Sequence, residues 1–100
     1  MLYNTMMQNI VPSVITDNKE GMTSLEIAEV TGKQHAHVMR DIRSILSQGV
    51  NQSNFGLVKY KDKKGEMRDM YRLTPKGCLI LASGYDAALR EKIIERYRAR

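Results

Sequence analysis

A single cysteine, Cys78, is all that the chain has, which excludes an internal disulfide framework and a Cys-rich zinc site. No apolar run approaches the roughly 18 residues needed to span a bilayer, so no membrane partner is expected. The N-terminus has no basic region ahead of its apolar residues, and Pro12 interrupts the short stretch 10–15; a secretory signal is not expected. There is no internal repeat, low-complexity run or interdomain linker. Phosphate-binding glycine loops, Ser-His-Asp or Cys-His constellations and paired carboxylates in an apolar setting are all missing, and the chain does not read as an enzyme. What is there is one domain's worth of sequence: 100 residues, 42% hydrophobic and 27% charged. That composition fits a globular fold with one continuous core, expected to work in the cytoplasm.

The net charge of +5 favours an anionic partner, though it would equally serve solubility. Its distribution says more. Residues 1–16 carry no formal side-chain charge, 17–29 carry −3 and 30–100 carry +8. Three basic clusters make the excess: Lys33, Arg40 and Arg43; then Lys59, Lys61, Lys63, Lys64, Arg68 and Arg72; then Arg90, Lys92, Arg96, Arg98 and Arg100.

Residues 1–12 read as a partly ordered N-terminal tail, and 13–100 as one domain. A short edge strand is expected over 13–16, where β-branched residues follow Pro12, and 17–21 reads as a turn. Thr23, with Glu26 three residues on, has the pattern of a capping box. Leu25, Ile27, Ala28 and Val30 supply a short helix, which Gly32 stops. A second helix is expected over about 34–48, because Val38, Ile42, Ile45 and Leu46 repeat at helical spacing. Two short helices joined by a Gly-containing turn form a helix-turn-helix pattern. Residues 55–60 and 67–73 read as strands with a polar, glycine-bearing tip between them, although Asp69 spoils the alternation of the second. Thr74-Pro75 then opens a largely apolar helix with Leu79, Ile80 and Ala82, and Gly84 ends it. Asp86 caps a final helix carrying Leu89, Ile93, Ile94 and Tyr97. The expected fold is α+β and winged helix-turn-helix-like: short N-terminal strand, two helices, β-hairpin wing and two C-terminal helices.

On the second helix, the face opposite Val38, Ile42 and Ile45 carries Ala36, His37, Arg40, Arg43, Ser44 and Ser47. Small residues allow close approach to a duplex, Arg can pair with guanine O6 and N7 or with phosphate, and Ser can contact either. The same face also fits a merely solvated helix. The basic hairpin suits a phosphate backbone, and its lysines would equally protect an exposed strand edge from aggregation. The expected contacts to double-stranded DNA are therefore Lys33, His37, Arg40, Arg43, Ser44 and Ser47 around the second helix. Lys61, Lys63, Lys64 and Arg68 join them on the hairpin. His35 and His37 diverge by about 200° on one helix, so no metal or other cofactor is expected; His35 reads as a packed or capping histidine.

The runs Met22-Thr23-Ser24-Leu25-Glu26-Ile27-Ala28 and Gly32-Lys33-Gln34-His35-Ala36-His37-Val38-Met39-Arg40-Asp41-Ile42 resemble the phage regulatory protein Rha family. Phe55, Tyr60, Gly65, Tyr71, Leu73-Thr74 and Gly77 extend the likeness, which covers roughly 13–97. The resemblance implies a phage- or prophage-encoded regulator with an N-terminal winged-helix-like DNA-binding domain, acting inside a bacterial host. Members often carry a separate C-terminal domain of antirepressor or related type, for which 100 residues leave no room.

Two function classes follow. One is a DNA-binding regulatory domain with the second helix in the major groove and the hairpin on the phosphate backbone. The other is an antirepressor-type module that binds a repressor protein rather than DNA, for which exposed methionines would suit. A homodimer on a palindromic operator would need a two-fold contact; Leu89, Ile93, Ile94 and Tyr97 could supply it or could complete the monomer core.

Overall fold

Side-chain capping fixes where three of the four described helices begin. The computed structural model describes residues 21–99, so the tail and the strand expected over 13–16 lie outside the described residues. Helix α1 (Ser24–Thr31) starts where the Thr23 hydroxyl accepts the Glu26 backbone N–H at 3.2 Å. It stops at Gly32, whose φ of +77° lets its N–H bond the Ala28 carbonyl at 2.9 Å, a left-handed turn that costs glycine little. Helix α2 (His35–Leu46) follows after two linking residues and Gln34, two residues short of its expected end. For α3 (Pro75–Ser83), Thr74 caps and proline takes the first position; for α4 (Ala87–Arg98), the Asp86 carboxylate accepts the Leu89 N–H at 2.9 Å.

Among the described residues the sheet has three antiparallel strands in the order β1 (Met22–Thr23), β3 (Met67–Leu73), β2 (Phe55–Lys61). Strands β2 and β3 form the hairpin, in register from Phe55 opposite Leu73 to Lys61 opposite Met67. The third strand is thus Met22–Thr23, of which the sequence pattern assigned only Thr23, as the cap of α1. Two residues are too few to show a period, and only pairing with Leu73 and Arg72 makes them a strand.

Asp69 marks where the hairpin leaves the body. On its face of β3, Leu73 and Tyr71 are buried while Asp69 and Met67 are exposed. Lys59, directly opposite, holds Asp69 by an ion pair of 2.7 Å. The inner half of the hairpin therefore belongs to the core and the outer half projects as a wing.

One cluster makes the core, with Met22, Ile27, Val38, Ile42, Phe55, Tyr71, Leu73, Leu81 and Ile93 among its members. Burying a Val-, Leu- or Ile-sized side chain contributes about 1.5–3 kcal/mol. The predicted α2 stripe is there: Val38 and Ile42 are fully buried, and Ile45 and Leu46 pack against the cluster. Of the α4 residues, Ile93 enters the core and Tyr97 packs on it. Arg96 on α4 reaches Glu26 at 3.1 Å and Glu29 at 3.5 Å on α1, so part of the acidic segment meets part of the basic one inside the monomer.

A second joint ties α3 to the turn before β2. The buried Asn54 accepts the Thr74 hydroxyl on Oδ1 at 3.0 Å and the Thr74 N–H on its carbonyl at 3.1 Å. Gly77, the third residue of α3, lies so close that a Cβ would stand 2.5 Å from the Asn54 carbonyl oxygen. Replacing a helix-interior glycine by alanine ordinarily stabilises by roughly 0.5–1 kcal/mol. Here the sign should reverse: Gly77→Ala is expected to lower stability by about 1–3 kcal/mol through overpacking, measured by urea unfolding.

Candidate nucleic-acid interface

One buried hydroxyl ties the first turn of α2 to the sheet. Ser24 opens α1, so its backbone no longer pairs with β3, yet its Oγ accepts the Tyr71 N–H at 2.9 Å and continues the ladder with a side chain. The same oxygen lies 2.8 Å from Nε2 of His35, the first residue of α2, and 3.5 Å from Sδ of Met39. With the Tyr71 amide on one lone pair, the hydroxyl proton goes to the better acceptor, the imidazole nitrogen. Burial holds the His35 imidazole below its ordinary value, in keeping with a neutral ring that accepts on Nε2. The ring also meets Tyr60 edge-on, centroids 6.1 Å apart. His35 is thus the packed histidine that its place near the apolar stripe suggests, and it joins α2 to the hairpin.

The far end of the α1–α2 turn is held separately. Tyr85 donates its hydroxyl to Asp41 Oδ2 at 2.8 Å, and burial first, then this bond, raises its pKa. Lys33 lies over the Tyr85 ring, 4.8 Å from its centroid, with Nζ 4.0 Å from Asp41.

The outer face of α2 is open. Ala36, His37, Arg40, Arg43, Ser44 and Ser47 are all exposed. Arg40 stands 4.0 Å from its neighbour Asp41 with 65% of its side chain exposed, a contact too weak to hold it. Arg43 and His37 have no ion pair among the described residues. Ser47 donates its hydroxyl proton to the Ser44 carbonyl at 2.6 Å, which leaves the oxygen as an acceptor only. On the wing, Lys61, Lys63 and Lys64 are exposed and without ion pairs among the described residues. Between the first turn of α2 and the wing runs an open cleft of about 310 Å³, lined by His35, Ala36, Lys59, Tyr60, Met67, Arg68 and Asp69.

The structure therefore sorts the ten predicted contacts. His37, Arg40, Arg43, Ser44 and Ser47 share the α2 face, and Lys61, Lys63 and Lys64 share the wing tip. Two cations are engaged within the protein. Lys33 sits on Tyr85, and Arg68 bonds Asp62 Oδ2 at 2.6 Å and Glu66 at 3.1 Å. Sequence reasoning missed Asp62, whose Oδ1 also accepts the N–H groups of Lys64 and Glu66, each at 2.9 Å. The arginine bond foremost, with these amides, holds its carboxyl below the ordinary carboxylate range. An Asp opening a turn three residues before its glycine was a usable signal.

Among the described residues no three His, Cys, Asp or Glu side chains gather as a metal site, and no helix is long and apolar enough to cross a membrane. The family model for phage regulatory protein Rha matches residues 22–99. The chain belongs to the phage regulatory protein Rha family. The matched span takes in every element from β1 to α4, so the Rha domain here is an α+β fold of four helices and a three-stranded sheet, compatible with a winged helix. An uncharacterised Haemophilus influenzae protein is similar at 36% identity over 66 residues, covering 62% of this chain and 38% of that protein. The chain thus spans well under half the length of this relative. No solved structure matches significantly.

Ser24→Ala is expected to lower stability by about 1–3 kcal/mol, because it strands the buried Tyr71 N–H. The His35 shift sets a pH dependence with a definite sign. Its folded pKa lies below that of the unfolded chain, which therefore binds more protons between the two values. Stability should be fully present above about 6.5 and fall as pH drops through that window. Unfolding midpoints across pH should show the slope in the wild type and lack this component in His35→Gln.

Proposed function

We propose that this Rha domain is a phage regulatory DNA-binding domain that acts in the host cytoplasm. In this reading α2 enters the major groove with His37, Arg40, Arg43 and Ser44 toward bases or phosphates, and the wing lysines lie on the adjacent backbone. The observation that carries it is the arrangement of two exposed cationic elements about one cleft. The α2 face has no acid on its exposed side, the wing tip presents Lys61, Lys63 and Lys64, and the cleft lies between the first turn of α2 and the body of the hairpin. A single helix reads bases by this geometry while a flexible or projecting element holds phosphates. Lys33 and Arg68, being engaged internally, act as supports for these elements.

A second reading has one specific observation in its favour. Between α3 and α4 lies an apolar groove of about 250 Å³ lined by Pro75, Cys78, Leu79, Ala82, Ile93 and Tyr97, with Leu79 62% exposed. That surface would suit a repressor protein as partner, the antirepressor role. Capture of a repressor that survives nuclease treatment would favour it.

Titration of the chain with phage operator fragments at several salt concentrations separates the contacts. Arg40→Ala should weaken specific binding by about 1–3 kcal/mol if Arg40 reads a guanine. Lys63→Ala should weaken all sequences alike and lower the salt slope by about 0.9. Unchanged binding in both variants rejects the groove assignment.

A further inference from the structure

We propose that Asp62 is the positioning residue of the wing, the group that makes the tip lysines a preformed phosphate contact; this rests on the DNA-binding reading above. Beyond the Lys59–Asp69 pair the hairpin has no core to lean on, since Lys61, Lys63, Lys64, Gly65, Glu66, Met67 and Arg68 are all exposed. Order at the tip must come from the tip itself. Asp62 supplies it with a single carboxylate, whose side chain is only 19% exposed. Oδ1 accepts the N–H groups of Lys64 and Glu66, and Oδ2 accepts Nε of Arg68 at 2.6 Å. The Asp62 backbone closes the same turn, bonding Glu66 at 2.9 Å and Gly65 at 3.0 Å, with Gly65 at a φ of +84°.

The chemistry is economical in charge. Arg68, shared between Asp62 and Glu66, offsets part of the negative charge that fixes the loop. Lys64 is one of the bonded positions and Lys63 stands between it and Asp62; both side chains are exposed, and their backbone is ordered before a ligand arrives. Preordered groups lose less freedom on binding.

Charge alone and positioning predict opposite signs. Removing an acid beside a polyanion should tighten binding if only long-range charge matters. If Asp62 positions the wing, Asp62→Ala should bind a random-sequence DNA duplex about three- to tenfold more weakly, despite the added positive charge. Its salt slope should also become shallower as wing phosphates are lost. Asp62→Asn keeps an oxygen for the Lys64 and Glu66 amides and should recover most of the loss. Amide hydrogen exchange at Gly65 and Glu66 in the free chain should quicken in the alanine variant and less in the asparagine one.

A wild type that binds the duplex while Asp62→Ala binds equally or more tightly overturns the positioning role alone. A wild type that binds no DNA duplex overturns the DNA-binding reading and this role together.

Discussion

The hydroxyl of Ser24 is the point on which the arrangement of sheet, helices and wing depends. It stands where β1 ends and α1 begins, so the chain needs a group that finishes a sheet ladder and starts a helix at once. A backbone cannot do both, because helical dihedrals turn its carbonyl away from the neighbouring strand. The side chain takes over, accepting from Tyr71 on β3 and meeting His35 at the start of α2. One oxygen thereby sets the sheet against the first turn of the exposed helix. Tyr60, packed edge-on against His35, carries the constraint into the hairpin. On the DNA-binding reading proposed above, the two surfaces would need such a fixed relation, and rigid elements hold it better than loops.

The far ends of these elements are tied by different chemistry. Tyr85, Asp41 and Lys33 clamp the middle of α2 to the α3–α4 connection, and Asn54 fixes the start of α3 to the turn before β2. Arg96 spans α4 and α1. These contacts hold the described elements against one another through polar groups at the edges of a core assembled from side chains on all of them.

What was legible in the sequence was local. Thr23, Gly32, Thr74-Pro75 and Asp86 act within four residues of themselves, and each marks the boundary it predicts. The α2 stripe and its opposite face follow from a fixed angle per residue, so Val38 and Ile42 inside and Arg40 and Arg43 outside could be read directly. The joints could not. Ser24 and Tyr71 are 47 residues apart, and Asn54 and Thr74 are 20 apart; no spacing announces either pair. The same limit applies to the internal partners of Lys33 and Arg68. A sequence shows a cation, but only the fold shows whether Tyr85 or Asp62 already holds it.

Charge by itself therefore does not choose a surface. Several cations of the basic clusters are answered within the monomer: Arg68 by Asp62 and Glu66, Lys59 by Asp69, Arg96 by Glu26 and Glu29. Exposed cations also occur on α4, at Lys92 and Arg98, but there Glu91 and Glu95 are exposed beside them, so that face presents both signs. On α2 the one acid, Asp41, is turned inward to Tyr85, and the exposed residues are cationic, small or neutral. A surface of one sign keeps its field, and small side chains between the arginines let a partner approach closely enough to feel it. The overall charge thus matters less than how the few acids are spent, since their burial and pairing decide which face remains positive.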